Sequence, residues 1–216
     1  MHYKVDGLVI KTENGARPIS QQNKTVVEWI RSLPESSVVL DYGCGKFRYT
    51  IPLSKRVRSV YAVDSSYQIE RTQIVNRRKS TLSEYARKYL PNVRVCAVQD
   101  EHWQVPGYDR VLCSNVLSAI PDKRKRVEIL RSFRPLIKPS GSLFLCTRFR
   151  SSYFGKYADN PNAKKYLDGW LISSSRGNSF FGLLPPEELG LICVRAGYNV
   201  VECYPKGESA YVVASP

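Results

Sequence analysis

The chain has 216 residues, 43% of them apolar and 24% charged, enough for one domain with a developed core and ordinary for a soluble globular protein. No apolar run approaches the roughly 20 residues of a membrane helix, and residues 1–6 show no signal-peptide core. With only two histidines, a histidine-rich metal site is not expected. The expectation is a cytoplasmic protein with no membrane contact and no metal. The outlier is a net charge of +14, which either attracts polyanions or simply solvates the surface. Much of it lies in residues 46–88, with eleven cations against three acids, and in the run Lys123-Arg124-Lys125-Arg126. None of the six cysteines forms a CxxC pair, so they read as small buried hydrophobes.

Residues 3–11 read as a strand, and residues 20–32 as a helix with Ser20 a candidate cap. Val38 to Leu40 is short and wholly apolar, as a strand covered on both faces should be. A helix over 47–55 follows, then a strand at Val60–Val63. Residues 66–89 carry one long or two short helices, with a break near Ser80. Strands follow at Val93–Val98 and Arg110–Cys113. Residues 122–137 read as an amphipathic helix with Val127, Leu130, Phe133 and Ile137 on one side. Ser142 to Thr147 is the fifth strand of the alternation. Residues 149–183, rich in Ser, Gly, Asn and aromatics, interrupt it. A helix near 186–196 and strands near 199–204 and 209–214 close the chain, the last two as an antiparallel hairpin. The alternation implies an α/β fold, a mainly parallel sheet with helices on both faces.

In such a sheet, ligands bind beyond the carboxyl ends of the strands. After the first buried strand comes Asp41-Tyr42-Gly43-Cys44-Gly45, a turn whose glycines permit close backbone approach. After the second comes Asp64, 23 residues beyond Asp41. An acid at that spacing suits a ribose hydroxyl pair, although a helix N-cap would look the same. Gln99-Asp100-Glu101 follows the third strand, Ser114-Asn115 the fourth, and Ile137-Lys138-Pro139-Ser140-Gly141 precedes the fifth.

Together these segments resemble the class I S-adenosylmethionine-dependent methyltransferases with D-x-G-C-G in the first motif, over about residues 20–148 and 184–216. The resemblance implies a Rossmann-like three-layer sandwich with a seven-stranded, mainly parallel sheet and a C-terminal antiparallel hairpin. It implies a single domain, 1–216, with an N-terminal extension, 1–19, and a substrate-side insert, 149–183. S-adenosylmethionine would be the cofactor. Asp41, Gly43 and Gly45 would meet its methionine part, Asp64 with the adjoining Ser65 its ribose, and Asp100 and Glu101 its adenine. His102-Trp103 would close over the adenine, unless Trp103 is a core aromatic. Ser114 and Asn115 would lie under the sulfonium. One departure stands out: where the family often has a third small residue, this chain has Phe47, which would either change helix packing or line the cofactor pocket.

No residue declares itself as a general base. No Asn/Asp-Pro-Pro-Tyr/Phe follows the fourth strand, and no Pro-Cys nucleophile is present, which argues against two familiar kinds of nucleic-acid methylation. The insert joins arginines to aromatics, a combination that stacks on nucleotides or packs beneath a lid. Arg17, Arg148, Tyr153, Tyr157, Trp170 and Arg176 are the candidate substrate residues. Three functions are carried forward. RNA, DNA or a nucleotide as methyl acceptor, bound through the basic surface, is placed narrowly first. A small-molecule acceptor is second, and a non-catalytic cofactor-binding subunit, suggested by Phe47 alone, is third.

Overall fold

A computed structural model describes residues 2–150, 155 and 157–216. Packing divides the chain into two compact units. One comprises Met1–Gly15, Cys113–Arg134 and Leu143–Pro216; the other comprises Ala16–Leu112 and Pro135–Ser142.

The second unit carries the first three strands of the alternation. Helix α1 is Lys24–Ser32, shorter than expected, and Asn23 rather than Ser20 caps it, its side chain accepting from the amides of Thr25 and Val26. Ser20 lies in a separate 3-10 turn. Strand β3 (Val38–Tyr42) leads into a loop and the short helix α2 (Thr50–Ser54). The helix expected from residue 47 starts late because Phe47 sits at φ +60°, outside the helical region. Its ring is fully buried in a cluster with Ile51, Ile69, Leu82 and Tyr85, edge-on to Tyr85 at 6.2 Å. Phe47 is therefore a packing residue, and the family departure that it represents has a core explanation.

Strand β4 (Ser59–Asp64) is followed by α3 (Ser66–Glu70). Between α3 and α4 (Leu82–Tyr89) the chain forms a hairpin, β5 (Gln73–Val75) with β6 (Arg78–Ser80). Its turn residues Asn76 and Arg77 both have positive φ, as a two-residue hairpin loop demands. The break near Ser80 is thus a hairpin followed by a capping box, in which Thr81 and Glu84 bond each other's backbone amides. Strand β7 is Val93–Ala97 and β8 is Tyr108–Ser114.

In the other unit, the expected strand over 3–11 is a hairpin. β1 (His2–Val5) and β2 (Leu8–Lys11) pair antiparallel around Asp6-Gly7, both at positive φ. Helix α5 (Lys123–Phe133) is capped by Asp122 and buries Arg126, Ile129, Leu130 and Phe133. Val127 is only half-buried, and Ile137, expected on this helix, instead begins β9 (Ile137–Arg148).

The insert contains an antiparallel meander of β10 (Ala163–Tyr166), β11 (Gly169–Ile172) and β12 (Ser179–Gly182). Val5 and Ile10 of the N-terminal hairpin share a small core with Leu171 and Phe180 of the meander, and the Lys11 amide donates to the Asn178 carbonyl at 2.8 Å. The extension and the insert, far apart in sequence, thus pack as one. Burying each such side chain contributes about 1.5–3 kcal/mol. Helix α6 (Pro186–Arg195) and strands β13 (Asn199–Lys206) and β14 (Ser209–Ser215) complete the unit.

The sheet order is β13-β14-β9-β8-β3-β4-β7. β3, β4 and β7 pair in parallel, while β14 is antiparallel to both β9 and β13. The mainly parallel seven-stranded sheet with a terminal antiparallel hairpin is as the sequence implied.

Candidate functional site

Parallel pairing of β3 with β4 puts Asp41 opposite Ala62, and pairing of β4 with β7 puts Asp64 opposite Ala97. The loops after these three strands therefore emerge side by side. The amides of Gly43 and Cys44 both donate to the Val63 carbonyl, at 2.8 and 3.1 Å, which folds the glycine turn back over β4. Gly43 and Gly45 have φ of +76° and +59°, where an L side chain is strained.

Asp64 is the hub of this arrangement. Its Oδ2 accepts the Gly45 amide at 2.9 Å and its Oδ1 accepts the Ser65 amide at 2.8 Å. Each carboxylate oxygen keeps a further lone pair for a hydroxyl donor. Ser65 caps α3 through its hydroxyl, which accepts from the Gln68 amide. The N-cap and ribose readings of this region are therefore separable: Ser65 does the capping, and Asp64 is held by backbone amides.

Asp41 is buried, and its Oδ2 accepts the Thr50 hydroxyl at 2.6 Å. Burial pushes its carboxyl up to about 6, against the lowering effects of the Thr50 hydrogen bond and Arg48. Burial also raises Asp64, against the amides of Gly45 and Ser65. Burial and the two carboxylates push the Cys44 thiol up. Raised carboxyls in a shared dry region favour a cationic ligand, whose charge offsets the desolvation.

Asp100 is half-buried and folds its own turn, Oδ2 accepting the Ala97 amide at 2.7 Å, while Glu101 and His102 are exposed. Trp103 is a core aromatic. It is buried, its ring lies 5.7 Å from that of Tyr42, its indole N–H donates to the Val98 carbonyl at 3.1 Å, and its own carbonyl accepts the Tyr108 hydroxyl. Of the two expectations for Trp103, the core aromatic holds: its ring is buried against Tyr42 and its N–H is bonded to Val98. The Ile137–Gly141 segment lies inside β9, with Lys138 paired to Asp109 at 2.7 Å.

Ser114 and Asn115 belong to the other unit. Asn115 has φ +58°, its amide donates to the Cys146 carbonyl at 2.7 Å, and its side chain donates to Ser114 Oγ. Among the substrate candidates of that unit, Tyr157 and Trp170 are brought together, ring centroids 6.3 Å apart, with Lys165 over the indole. Arg148 and Arg176 are exposed. Arg17, in the unit with the glycine turn, is exposed. Tyr153 lies outside the described residues. None of the six cysteines is in a disulfide; five are buried, and Cys203, expected to be buried like the others, is exposed. Among the described residues no helix is long and apolar enough to cross a membrane, and no group of His, Cys, Asp or Glu is placed to hold a metal.

Sequence reasoning passed over Thr50 and Gln68, and it took Arg126 only as part of a basic run. The pattern Ser65-x-x-Gln68 was a visible signal, because it spells a capping box. The structure uses it differently: the Gln68 side chain donates to the Gly45 carbonyl instead of returning to the cap.

Residues 19–203 match the family described as a methyltransferase domain. The chain is 34% identical to the uncharacterized protein YmfD of Escherichia coli K12, over 98% of this chain and 95% of that protein. It is 26% identical to the ubiquinone biosynthesis O-methyltransferase of Pseudomonas aeruginosa PAO1, over 87% of this chain and 76% of that enzyme. Among solved structures, its fold resembles that of the DhpI-SAM-HEP complex, with a TM-score of 0.62 at 19% identity, covering 89% of this chain and 85% of the other.

Proposed function

The chain belongs to the methyltransferase-domain family and is an S-adenosylmethionine-dependent enzyme, and we propose that it methylates an oxygen of a small organic molecule. The observation that carries the cofactor part of this reading is the pairing of Asp64 with the amides of Gly45 and Ser65. It fixes an acceptor pair for a diol beside a glycine turn and a buried second carboxylate, Asp41. The residues present fit a cofactor that is cationic at one end and carries a ribose.

The sulfonium supplies a methyl group already activated for displacement. The chain's own contribution is orientation and exclusion of water. The glycine turn would let backbone approach the methionine part, Asp41 would supply negative charge there, Asp64 would take the ribose hydroxyls, and Asp100 and Glu101 would meet the adenine. The acceptor's proton goes to solvent or to a base.

The small-molecule acceptor draws support from the relationship to a ubiquinone biosynthesis O-methyltransferase. It takes precedence over the nucleic-acid acceptor that the charge favoured. Part of that charge is already paired: Arg126 is buried on Asp168, and at the surface Lys125 pairs with Glu128 and Lys123 lies between Asp168 and Glu188. Phe180, an aromatic of the insert, is buried in a core with Val5, Ile10 and Leu171. The test is transfer of labelled methyl from S-adenosylmethionine to small-molecule, RNA and DNA fractions of the host. Label in an organic-soluble, alkali-stable product supports the reading, and label confined to RNA or DNA overturns it.

A further inference from the structure

Gln68 is fully buried on the five-residue helix α3. A buried amide without a full set of partners is costly, and Leu or Met would fill similar space without that cost. Both of its amide hydrogens are used: Nε2 donates to the Gly45 carbonyl and, at 3.0 Å, to Gln73 Oε1. Gln73 returns the bond, its Nε2 donating to the Gln68 carbonyl at 2.8 Å. Gln68 Oε1, by contrast, is buried with no hydrogen-bond partner. The side chain is thus retained for its donors, at the expense of its acceptor.

Those donors close a circuit. The Gly45 amide reaches Asp64 Oδ2, the Gly45 carbonyl takes Gln68 Nε2, the Gln68 amide reaches Ser65 Oγ, and the Ser65 amide reaches Asp64 Oδ1. Gly45, at φ +59°, is the one flexible link in this ring. If its carbonyl were free, the Gly45–Lys46 peptide plane could rotate about the Gly45 backbone dihedrals, and the Cys44–Gly45 plane, whose amide reaches Asp64, would lose the neighbour that holds it. We propose that Gln68 is a positioning residue for the cofactor site, locking the Gly45 peptide so that Asp64 presents a fixed carboxylate, and that the β5–β6 hairpin steadies it through Gln73.

This inference rests on the reading of the Gly43–Asp64 region as the S-adenosylmethionine site. The test is calorimetric binding of S-adenosylhomocysteine to the full chain and to Gln68→Met, Gln68→Glu and Gln73→Ala, with thermal unfolding of each free protein. Gln68→Met is expected to weaken binding about tenfold, the equivalent of one hydrogen bond's 1.4 kcal/mol, and to raise KM for the methyl donor while kcat stays near the parent's. Gln68→Glu is expected to bind weakly at pH 8 and to recover relative to Gln68→Met as the pH falls, because a protonated carboxyl can again donate to the Gly45 carbonyl. A merely structural role would lower Tm without producing that pH-dependent rescue. Parent-like affinity in folded Gln68→Met, or a Gln68→Glu that tracks Gln68→Met at every pH, would overturn the proposal. If both Gln68 variants fail to fold, Gln73→Ala decides: weaker binding supports the lock, and parent affinity overturns it. A parent chain that does not bind S-adenosylhomocysteine overturns the cofactor reading itself, and the lock with it.

Discussion

The guanidinium of Arg126, fully buried on α5, holds both carboxylate oxygens of Asp168 in the β10–β11 turn. Its Nε also donates to the Ile120 carbonyl at 2.8 Å, and its plane lies over Phe180 at 5.8 Å. A Cβ added to Gly182 would come within 2.9 Å of the guanidinium, so this glycine makes room for it. Such bidentate pairs are geometrically exacting, and this one ties the insert to α5.

Removing one partner of a buried pair strands the other charge. Asp168→Ala should therefore lower unfolding stability by about 3–5 kcal/mol, while the double change Arg126→Met, Asp168→Leu should recover most of that loss. Urea denaturation measures both, and limited proteolysis should show earlier cleavage within 149–183 in the single variant. Equal stability of Asp168→Ala and the parent would sink this account of the anchor.

Asp41 should make the proposed cofactor site sensitive to pH. Its carboxyl titrates near 3.8 when unperturbed and is pushed up to about 6 in the fold. The folded chain therefore holds a proton that the unfolded chain has released, and the free protein loses stability as pH rises through that window. A cationic ligand prefers the ionised form, so affinity for S-adenosylmethionine should fall as pH drops below about 6. Asp41→Asn should bind more weakly at pH 8, with a flatter pH profile, and should be no less stable than the parent when free. Calorimetry from pH 5 to pH 8 reads both effects, and identical profiles would remove Asp41 from the site.

Asp64 has the most direct consequence. Hydrogen bonds to a charged group contribute about 1.5–3 kcal/mol, so Asp64→Ala should weaken S-adenosylhomocysteine binding about ten- to a hundredfold. It should also shrink the thermal shift expected of the parent at the same ligand concentration. An unchanged shift would count against the whole cofactor assignment.

Glycines at close approaches separate from those in open space. A Cβ on Gly169 would lie 2.2 Å from the Phe181 carbonyl oxygen, and one on Gly141 2.9 Å from the carbonyls of Tyr108 and Asp109, whereas Gly15 has nothing within 4 Å. Gly169→Ala and Gly141→Ala should each cost more than about 2 kcal/mol by overpacking, and Gly15→Ala should lie within about 0.5 kcal/mol of the parent. Equal Tm values for all three would contradict the packing described at these strands.

Several features were legible in the residues alone. The apolar run Val38–Leu40, the alternation after it and the acids Asp41 and Asp64 at the ends of successive strands indicated the sheet and the family, and they are the residues on which the proposed cofactor site rests. These are local signals: strand periodicity and turn chemistry act over a few residues. Boundaries were less secure where two local signals competed, as at Asp6-Gly7, whose turn divides an apolar strand, and at Asn23, a better-placed cap than Ser20. Tertiary structure alone decided which polar side chains were consumed inside. It put Arg126 of a basic run on Asp168, 42 residues away, turned Trp103 into the core, and sent the Gln68 side chain to Gly45 rather than to its own helix cap. Such outcomes depend on donors and acceptors that meet only once distant segments pack, since burial obliges each to find a partner wherever the fold supplies one.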